Sequence, residues 1–294
     1  MDKKKVIVVG GPTATGKTQT AFEIARSIGG EIISADSRQI YKYLDIGTNK
    51  EIPIDIPIHL INLINPDERF NVYEFQTMAL KKIDEIISRG KVPIIVGGTG
   101  LYIDSLIRSY ELRTKDENYS GRSQFETLSV AELQQLINSY DSSILSQLNN
   151  SDKNNPRRLI RLLEKTNETV ANNRYNNLDF LFLYPEYDWE KLKEKINSRV
   201  EKMFESGLIE ETRRVIQLGY SKNCDGLNIM GYKQIVEFLD SKINLTECIE
   251  QVKIAHKQYA KRQRTWFEGK GRGYKLTKYN NTNEALDASI KFLK

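Results

Sequence analysis

The chain opens with an apolar, β-branched run, Lys5-Val6-Ile7-Val8-Val9, which stops at Gly10-Gly11-Pro12. A stretch of helical periodicity from Thr18 to Ile28 follows and closes at Gly29-Gly30. Strand, loop and helix in that order form the opening unit of a parallel α/β sheet. Glu31-Ile32-Ile33-Ser34, Ile58 to Leu63, and Val92-Pro93-Ile94-Ile95-Val96 extend the sheet, with a helical pattern from Val72 to Ser88 before the last of them. From about Arg113 the composition turns to Ser, Asn, Gln, Asp and Glu. Helical patterns recur there around Ser129 to Asn138 and Pro156 to Lys165 without a strand-like run, so a helical insertion with a modest core is predicted. Leu178 to Tyr184 reads as a strand returning to the sheet. A long helical pattern then runs from Trp189 towards Leu218, and helices continue through Gln234 to Leu239 and Thr246 to Phe267. The division that results is 1–112 and 178–294 for an α/β core and 113–177 for the insertion. No internal repeat interrupts it.

Composition narrows the picture without deciding it. At 294 residues, 39% hydrophobic and 28% charged, the chain is long enough for a sizeable core and has the balance of a globular protein. A mean hydropathy of -0.52 leaves no room for a membrane span, and the basic start at Lys3-Lys4-Lys5 is not followed by a signal-peptide core. Cys224 and Cys248 have no second Cys or His at metal-ligand spacing, which argues against a zinc site or disulfide framework and suits a reducing cytoplasm. The net charge of +5 is compatible with a polyanionic partner but is too small to identify one.

The sharpest chemistry lies in Gly11-Pro12-Thr13-Ala14-Thr15-Gly16-Lys17-Thr18, which matches G-x-x-x-x-G-K-[ST] between a predicted strand and a predicted helix. Glycines let backbone N–H groups turn around a phosphate, the helix start adds its positive dipole end, Lys17 adds a point charge, and Thr18 can ligate Mg²⁺. The alternative is an ordinary strand-to-helix turn. A P-loop identifies a diphosphate or triphosphate and not a reaction: kinases, ATPases and diphosphate-releasing transferases all use one.

Further segments carry a family resemblance. Ala35-Asp36-Ser37-Arg38-Gln39-Ile40-Tyr41, Gly47-Thr48-Asn49-Lys50 and Val96-Gly97-Gly98-Thr99-Gly100-Leu101-Tyr102 occur in register, followed by Asn155-Pro156-Arg157-Arg158-Leu159-Ile160-Arg161, Arg199 to Met203 with Gly207-Leu208, Gly231-Tyr232-Lys233-Gln234, and Tyr259-Ala260-Lys261-Arg262-Gln263 with Thr265-Trp266. Together they resemble the tRNA dimethylallyltransferase family over nearly the whole chain. The resemblance implies a P-loop NTPase-like parallel sheet with a helical insertion, and a compact, monomeric, cytoplasmic enzyme of bacterial type. It implies transfer of a dimethylallyl group from dimethylallyl diphosphate to N6 of the adenosine 3′-adjacent to the anticodon of tRNA, with Mg²⁺ as cofactor and the anticodon stem-loop as partner.

The resemblance also assigns residues. Gly11 to Thr18 would hold the donor diphosphate, with Thr13, Asp36 and Arg199 catalytic. Asp36 suits contact with N6, a weak nucleophile whose attack is helped by a carboxylate that accepts its proton; the alternatives are a helix cap near Ser37 or a water-mediated Mg²⁺ ligand. Arg199 shares a helical stripe with Leu192, Ile196 and Met203, where an apolar residue is expected, so its charge needs a partner: the leaving diphosphate or a nearby carboxylate. The tRNA-facing positions would be Asp36, Ser37, Arg38, Gln39, Thr99, Arg122, Arg157, Arg158, Arg161, Lys257, Gln258, Lys261, Arg262 and Gln263. Lys253 and Arg264, interleaved with Tyr259 and Trp266, lengthen the basic, ring-bearing stretch of the last group, which could equally be a solvated helix. His59, in an apolar run, is expected to be packed or hydrogen-bonded. Departures from the family are His256-Lys257 in place of Thr-Arg, and Asn49-Lys50-Glu51 in place of Ala-Lys-Pro. An adenylate isopentenyltransferase acting on free AMP, ADP or ATP, a P-loop small-molecule kinase, and a nucleic-acid-binding module with an inactive P-loop are the competing readings.

Overall fold

In chain order the elements are β1 (Lys4–Gly10), α1 (Lys17–Ile28), β2 (Glu31–Ser34), β3 (Ile58–His59), α2 (Val72–Ser88), β4 (Pro93–Gly97), α3 (Gly100–Ile107), α4 (Val130–Tyr140), α5 (Ser142–Gln147), α6 (Asn150–Lys153), α7 (Pro156–Lys165), β5 (Leu178–Pro185), α8 (Trp189–Glu205), α9 (Leu208–Gln217), α10 (Tyr232–Leu239), α11 (Leu245–Glu268), β6 (Leu276–Tyr279) and α12 (Thr282–Leu293). This computed structural model describes residues 3–109, 125–165, 177–269 and 275–294. The chain divides into one unit of Met1–Tyr110 with Tyr175–Lys294 and a second of Glu111–Arg174.

In the first unit six strands pair in parallel in the order β3-β2-β4-β1-β5-β6. Each central strand sends alternate side chains to opposite faces, and both faces are covered, which is why its sequence reads as an unbroken apolar run. Val6, Val8, Ile33, Ile95 and Phe182 enter a core with Phe75, Ile83 and Tyr102 of α2 and α3. Their neighbours Ile7, Val9, Ile32, Ile94 and Leu183 enter another with Ala21, Ile24 and Ala285 of α1 and α12. A third core, built from Val200, Leu208, Val215, Tyr232, Ile235 and Val252, joins α8 to α11. Both cysteines are free and buried. Gly10 lies opposite Gly97 and Ser34 opposite Val96, so the carboxyl ends of β1, β4 and β2 stand side by side. The chain leaves β1, passes over β4 to form β2, and later returns on the other flank of β1. That reversal is where a parallel sheet opens a crevice for ligands.

Some boundaries depart from the sequence pattern. The run from Ile58 to Leu63 is a strand only at Ile58–His59, because Leu60 and Asn62 adopt left-handed backbone (φ 60° and 54°). The helical pattern from Trp189 breaks at Gly207 (φ 94°), so α9 is a separate helix. No helix starts near Ser37; residues 37–40 form turns. The second unit is helical, with Leu133, Ile137, Leu159, Ile160 and Leu163 forming its small core.

At the start of β2, buried Glu31 receives His59 Nε2 at 2.7 Å, Arg89 at 2.8 Å and Lys91 at 3.2 Å. Burial alone would raise its pKa, but the three hydrogen bonds outweigh it and hold the carboxyl at about 2 instead of 4.5. A depressed carboxyl contributes stability that is present above its unfolded pKa and disappears as pH falls through the folded one. Glu31→Gln is therefore expected to cost on the order of 1–3 kcal/mol at neutral pH. In urea denaturation the gap from wild type should close between pH 4.5 and about 2. A gap that does not change with pH would show that the charge contributes nothing.

Candidate active site

The P-loop leaves β1 and runs directly into α1. Ala14 (φ 67°) and Gly16 (φ 85°) are left-handed, which turns successive N–H groups inward, and Gly16 caps α1 without a side chain, leaving first-turn donors open to an anion. Thr15 Oγ1 and Lys17 Nζ both donate to the Pro12 carbonyl, at 2.9 and 3.2 Å. Burial, and then the Arg199 charge, push the Lys17 pKa down to about 8. Arg199 donates to Thr13 Oγ1 at 2.9 Å. Its pKa is lowered chiefly by burial, against the opposing charge of Glu51, and among the described residues no carboxylate forms a salt bridge with it. The ion pair that is the alternative for Arg199 is thus not formed.

Asp36 follows β2. Its Oδ1 accepts the Arg38 backbone N–H at 3.0 Å, capping the turn, and its Oδ2 meets the Arg38 guanidinium at 3.2 Å. The two side chains are only 13% and 11% exposed. Burial would raise the Asp36 pKa, but the Arg38 charge and hydrogen bonds, with help from Lys17, bring it below the usual value. The carboxylate therefore stays ionised while facing the P-loop cations. The turn is braced by Thr99 Oγ1, which accepts Ser37 N–H at 3.0 Å and donates to Ser37 Oγ at 3.2 Å.

One helix, α11, runs behind both elements. Gln263 accepts Thr13 N–H at 2.8 Å and donates to the Gly98 carbonyl at 2.9 Å, fastening the P-loop to the turn after β4. A turn earlier, Ala260 packs with Ala14, and the Tyr259 ring lies 4.1 Å beneath the Arg38 guanidinium. The glycines after β4 are explained by close approach: a Cβ at Gly97 would strike the Ala35 backbone, at Gly98 the Gln263 amide, and at Gly100 the Trp266 ring.

An anion cradle, a buried arginine in no salt bridge among the described residues and an ionised carboxylate thus share one crevice at the strand ends. The IPP transferase family model matches residues 39–270, and an Isopentenyl transferase model matches residues 4–58. A tRNA dimethylallyltransferase of Alkaliphilus oremlandii is 38% identical, with 99% of this chain and 98% of that protein covered. The chain belongs to the IPP transferase family. The crystal structure of the full-length tRNA isopentenylpyrophosphate transferase from Bacillus halodurans superposes with a TM-score of 0.72 at 32% identity, covering 99% of this chain and 96% of that one. A eukaryotic dimethylallyltransferase acting on tRNA superposes with a TM-score of 0.81 at 28% identity over 99% of this chain and 79% of its own. The P-loop NTPase-like core expected from the sequence is the fold of these relatives.

Several residues that the family resemblance turned toward tRNA are engaged inside this member. Gln263 is 4% exposed, with its amide committed at both ends. Gln39 accepts from Ser34 Oγ at 2.9 Å and donates to the Thr48 and Asn49 carbonyls, both at 3.3 Å, so it holds the loop after the turn. Arg38 is divided between Asp36 and Tyr259. Lys253 is paired with Glu201 and Glu250, and Arg264 with Glu268. Trp266 donates its indole N–H to Asp104 at 3.1 Å, and its half-buried ring packs against the core beside α3. Lys257, Gln258, Lys261 and Arg262 line the outer side of α11, Lys257 half-buried and the others exposed. In the second unit Arg157, Arg158 and Arg161 are exposed on α7, Arg158 paired with Asp152. Arg122 lies outside the described residues. His59 is hydrogen-bonded to Glu31.

The residues present suit Mg²⁺. That ion takes few protein oxygens and completes its shell with phosphate and water. Thr18, next to Lys17 at the start of α1, supplies one hydroxyl, and no group of three or more His, Cys, Asp or Glu among the described residues could hold a metal alone. A cation carried in with a diphosphate fits such a place. No helix among the described residues is long and apolar enough to cross a membrane.

Proposed function

We propose that this chain transfers a dimethylallyl group from dimethylallyl diphosphate to the exocyclic N6 of the adenosine 3′-adjacent to the anticodon in tRNA, releasing diphosphate. The observation that carries the reading is Arg199, a buried guanidinium fixed on Thr13 of the P-loop and in no salt bridge among the described residues. The full-length likeness to proteins named as tRNA dimethylallyltransferases supports the same donor and acceptor. Gly11 to Thr18 hold the diphosphate, and Asp36 accepts an N–H of the acceptor amine. As the C1–O bond of the donor breaks and the N6–C1 bond forms, negative charge grows on the diphosphate, where Lys17 and Arg199 meet it. Positive charge grows on N6. Its proton then becomes acidic enough to pass to Asp36, although a carboxylate of lowered pKa is a weak base toward a neutral amine. Thr18 would hold Mg²⁺, which when bound would supply further neutralisation of the leaving group.

The direct test is incubation with Mg²⁺, dimethylallyl diphosphate and either tRNA or AMP, followed by mass analysis of nucleosides. Prenylated adenosine in tRNA digests is expected; modification of AMP alone would replace the acceptor. Converting Lys257, Lys261 and Arg262 together to glutamine should raise the tRNA Michaelis constant and leave donor affinity unchanged. The log–log salt dependence of tRNA binding should become shallower by roughly 0.9 for each phosphate that the variant no longer neutralises. Parallel slopes at equal affinity would make the outer side of α11 a solvated face.

A further inference from the structure

Lys191, Glu194, Lys195, Ser198, Arg199 and Lys202 recur at three- and four-residue spacing on α8, forming one continuous face beside its buried stripe of Leu192, Ile196, Val200 and Met203. That face walls a cleft of about 810 Å³, whose opposite wall is the loop of residues 45–51 and whose inner end reaches Ala14 of the P-loop. The loop wall is internally satisfied. Lys50 Nζ bonds Asp45 at 2.7 Å, and Glu51 accepts from the Gln19 and Asn49 amides at 2.6 and 2.7 Å. The helix wall is not. Lys191, Lys195 and Lys202 are exposed and, among the described residues, have no carboxylate partner, while Lys193, pointing away from the cleft, is paired with Glu190. With Lys50 and Arg199 these lysines outnumber the carboxylates of the cleft, Asp45, Glu51 and Glu194, so the groove that reaches the phosphate-binding loop carries a net positive charge.

We infer that the Lys191, Lys195 and Lys202 face of α8 is the approach path of the anionic diphosphate donor, gathering it electrostatically before Arg199 and the P-loop take hold. This rests on the donor proposed above. The cleft leads to the P-loop and suits a small organic diphosphate in size. Cations lining a cleft with low-dielectric walls raise the local concentration of a multiply charged anion, and the gain disappears when salt screens the field.

The experiment compares the intact enzyme with a triple variant, Lys191→Gln, Lys195→Gln and Lys202→Gln, measuring kcat/KM for dimethylallyl diphosphate at saturating tRNA across a salt series. A roughly three- to tenfold loss is expected at low ionic strength, fading to none near ~0.5 M salt, with kcat and the tRNA Michaelis constant unchanged. A control of equal net charge, Lys222→Gln, Lys242→Gln and Lys291→Gln, should match wild type. Equal losses in both variants, a loss insensitive to salt, or a rise confined to the tRNA constant would each overturn the inference, the last by giving this face to RNA. If wild type itself fails to use the donor, the reading of function fails first, and the two failures are therefore distinct.

Discussion

Asp36→Asn is expected to lower the single-turnover rate of prenyl transfer by ~10²–10⁴-fold while donor affinity stays within a few-fold of wild type. The substitution is nearly isosteric. An asparagine oxygen can still accept the Arg38 backbone N–H, so the turn after β2 keeps its cap. What disappears is the negative charge that receives the acceptor amine and takes its proton once N6 has become cationic. The diphosphate contacts assigned to the P-loop and Arg199 do not involve this side chain. Quenched-flow turnover with saturating donor and tRNA, beside donor titration without tRNA, separates the outcomes. Near-normal turnover would end the assignment, and a matched loss of donor affinity would make Asp36 part of the Mg²⁺ site.

Arg199→Ala has the second largest expected effect and the opposite profile, because its guanidinium meets charge already present on the bound diphosphate and more that develops on departure. Donor affinity should fall by roughly tenfold to a hundredfold, the worth of a charge-assisted hydrogen bond, and transfer should slow by a further ~10–10³-fold. Arg199→Lys, which retains charge without the fork, should recover part of the affinity and less of the rate. Lys193→Ala is the proper control on the same helix. If the Arg199 and Lys193 variants behave alike, Arg199 holds the fold and not the donor.

The parts of this molecule legible in its sequence are those fixed within a few residues of chain. The P-loop, the turn at Asp36 and the glycines after β4 are short segments whose conformation follows from neighbouring strands and from glycine placement. Apolar runs buried on both sides locate β1, β2 and β4 for the same reason. β6 is not evident from the pattern because it is four residues long and has two polar positions, Thr277 and Lys278; its pairing with β5 makes it a strand. The orientation of side chains around α11 is also misleading in the sequence. The family resemblance puts Gln263 among the tRNA-facing positions, but it falls in register with Cys248, Val252, His256, Ala260 and Phe267, the buried stripe of that helix. Taking that stripe first turns Gln263 inward. That Arg199 forms no salt bridge among the described residues is not legible at all, since it depends on where segments distant in sequence place their carboxylates.

The 24 residues of α11 form a rod of roughly 36 Å at 1.5 Å per residue, and that rod touches the P-loop through Gln263 and the turn after β2 through Tyr259 and Arg38. The two halves of the site therefore share one mechanical support. Substitutions on the two sides are not independent variables: a change at Gln263 that lets α11 shift also moves the ring under Arg38. Double-mutant cycles between Gln263 and Asp36 should depart from additivity although the two side chains have no contact. For lineage comparison or redesign, donor and acceptor preferences then form an epistatic pair, to be altered together with the helix behind them.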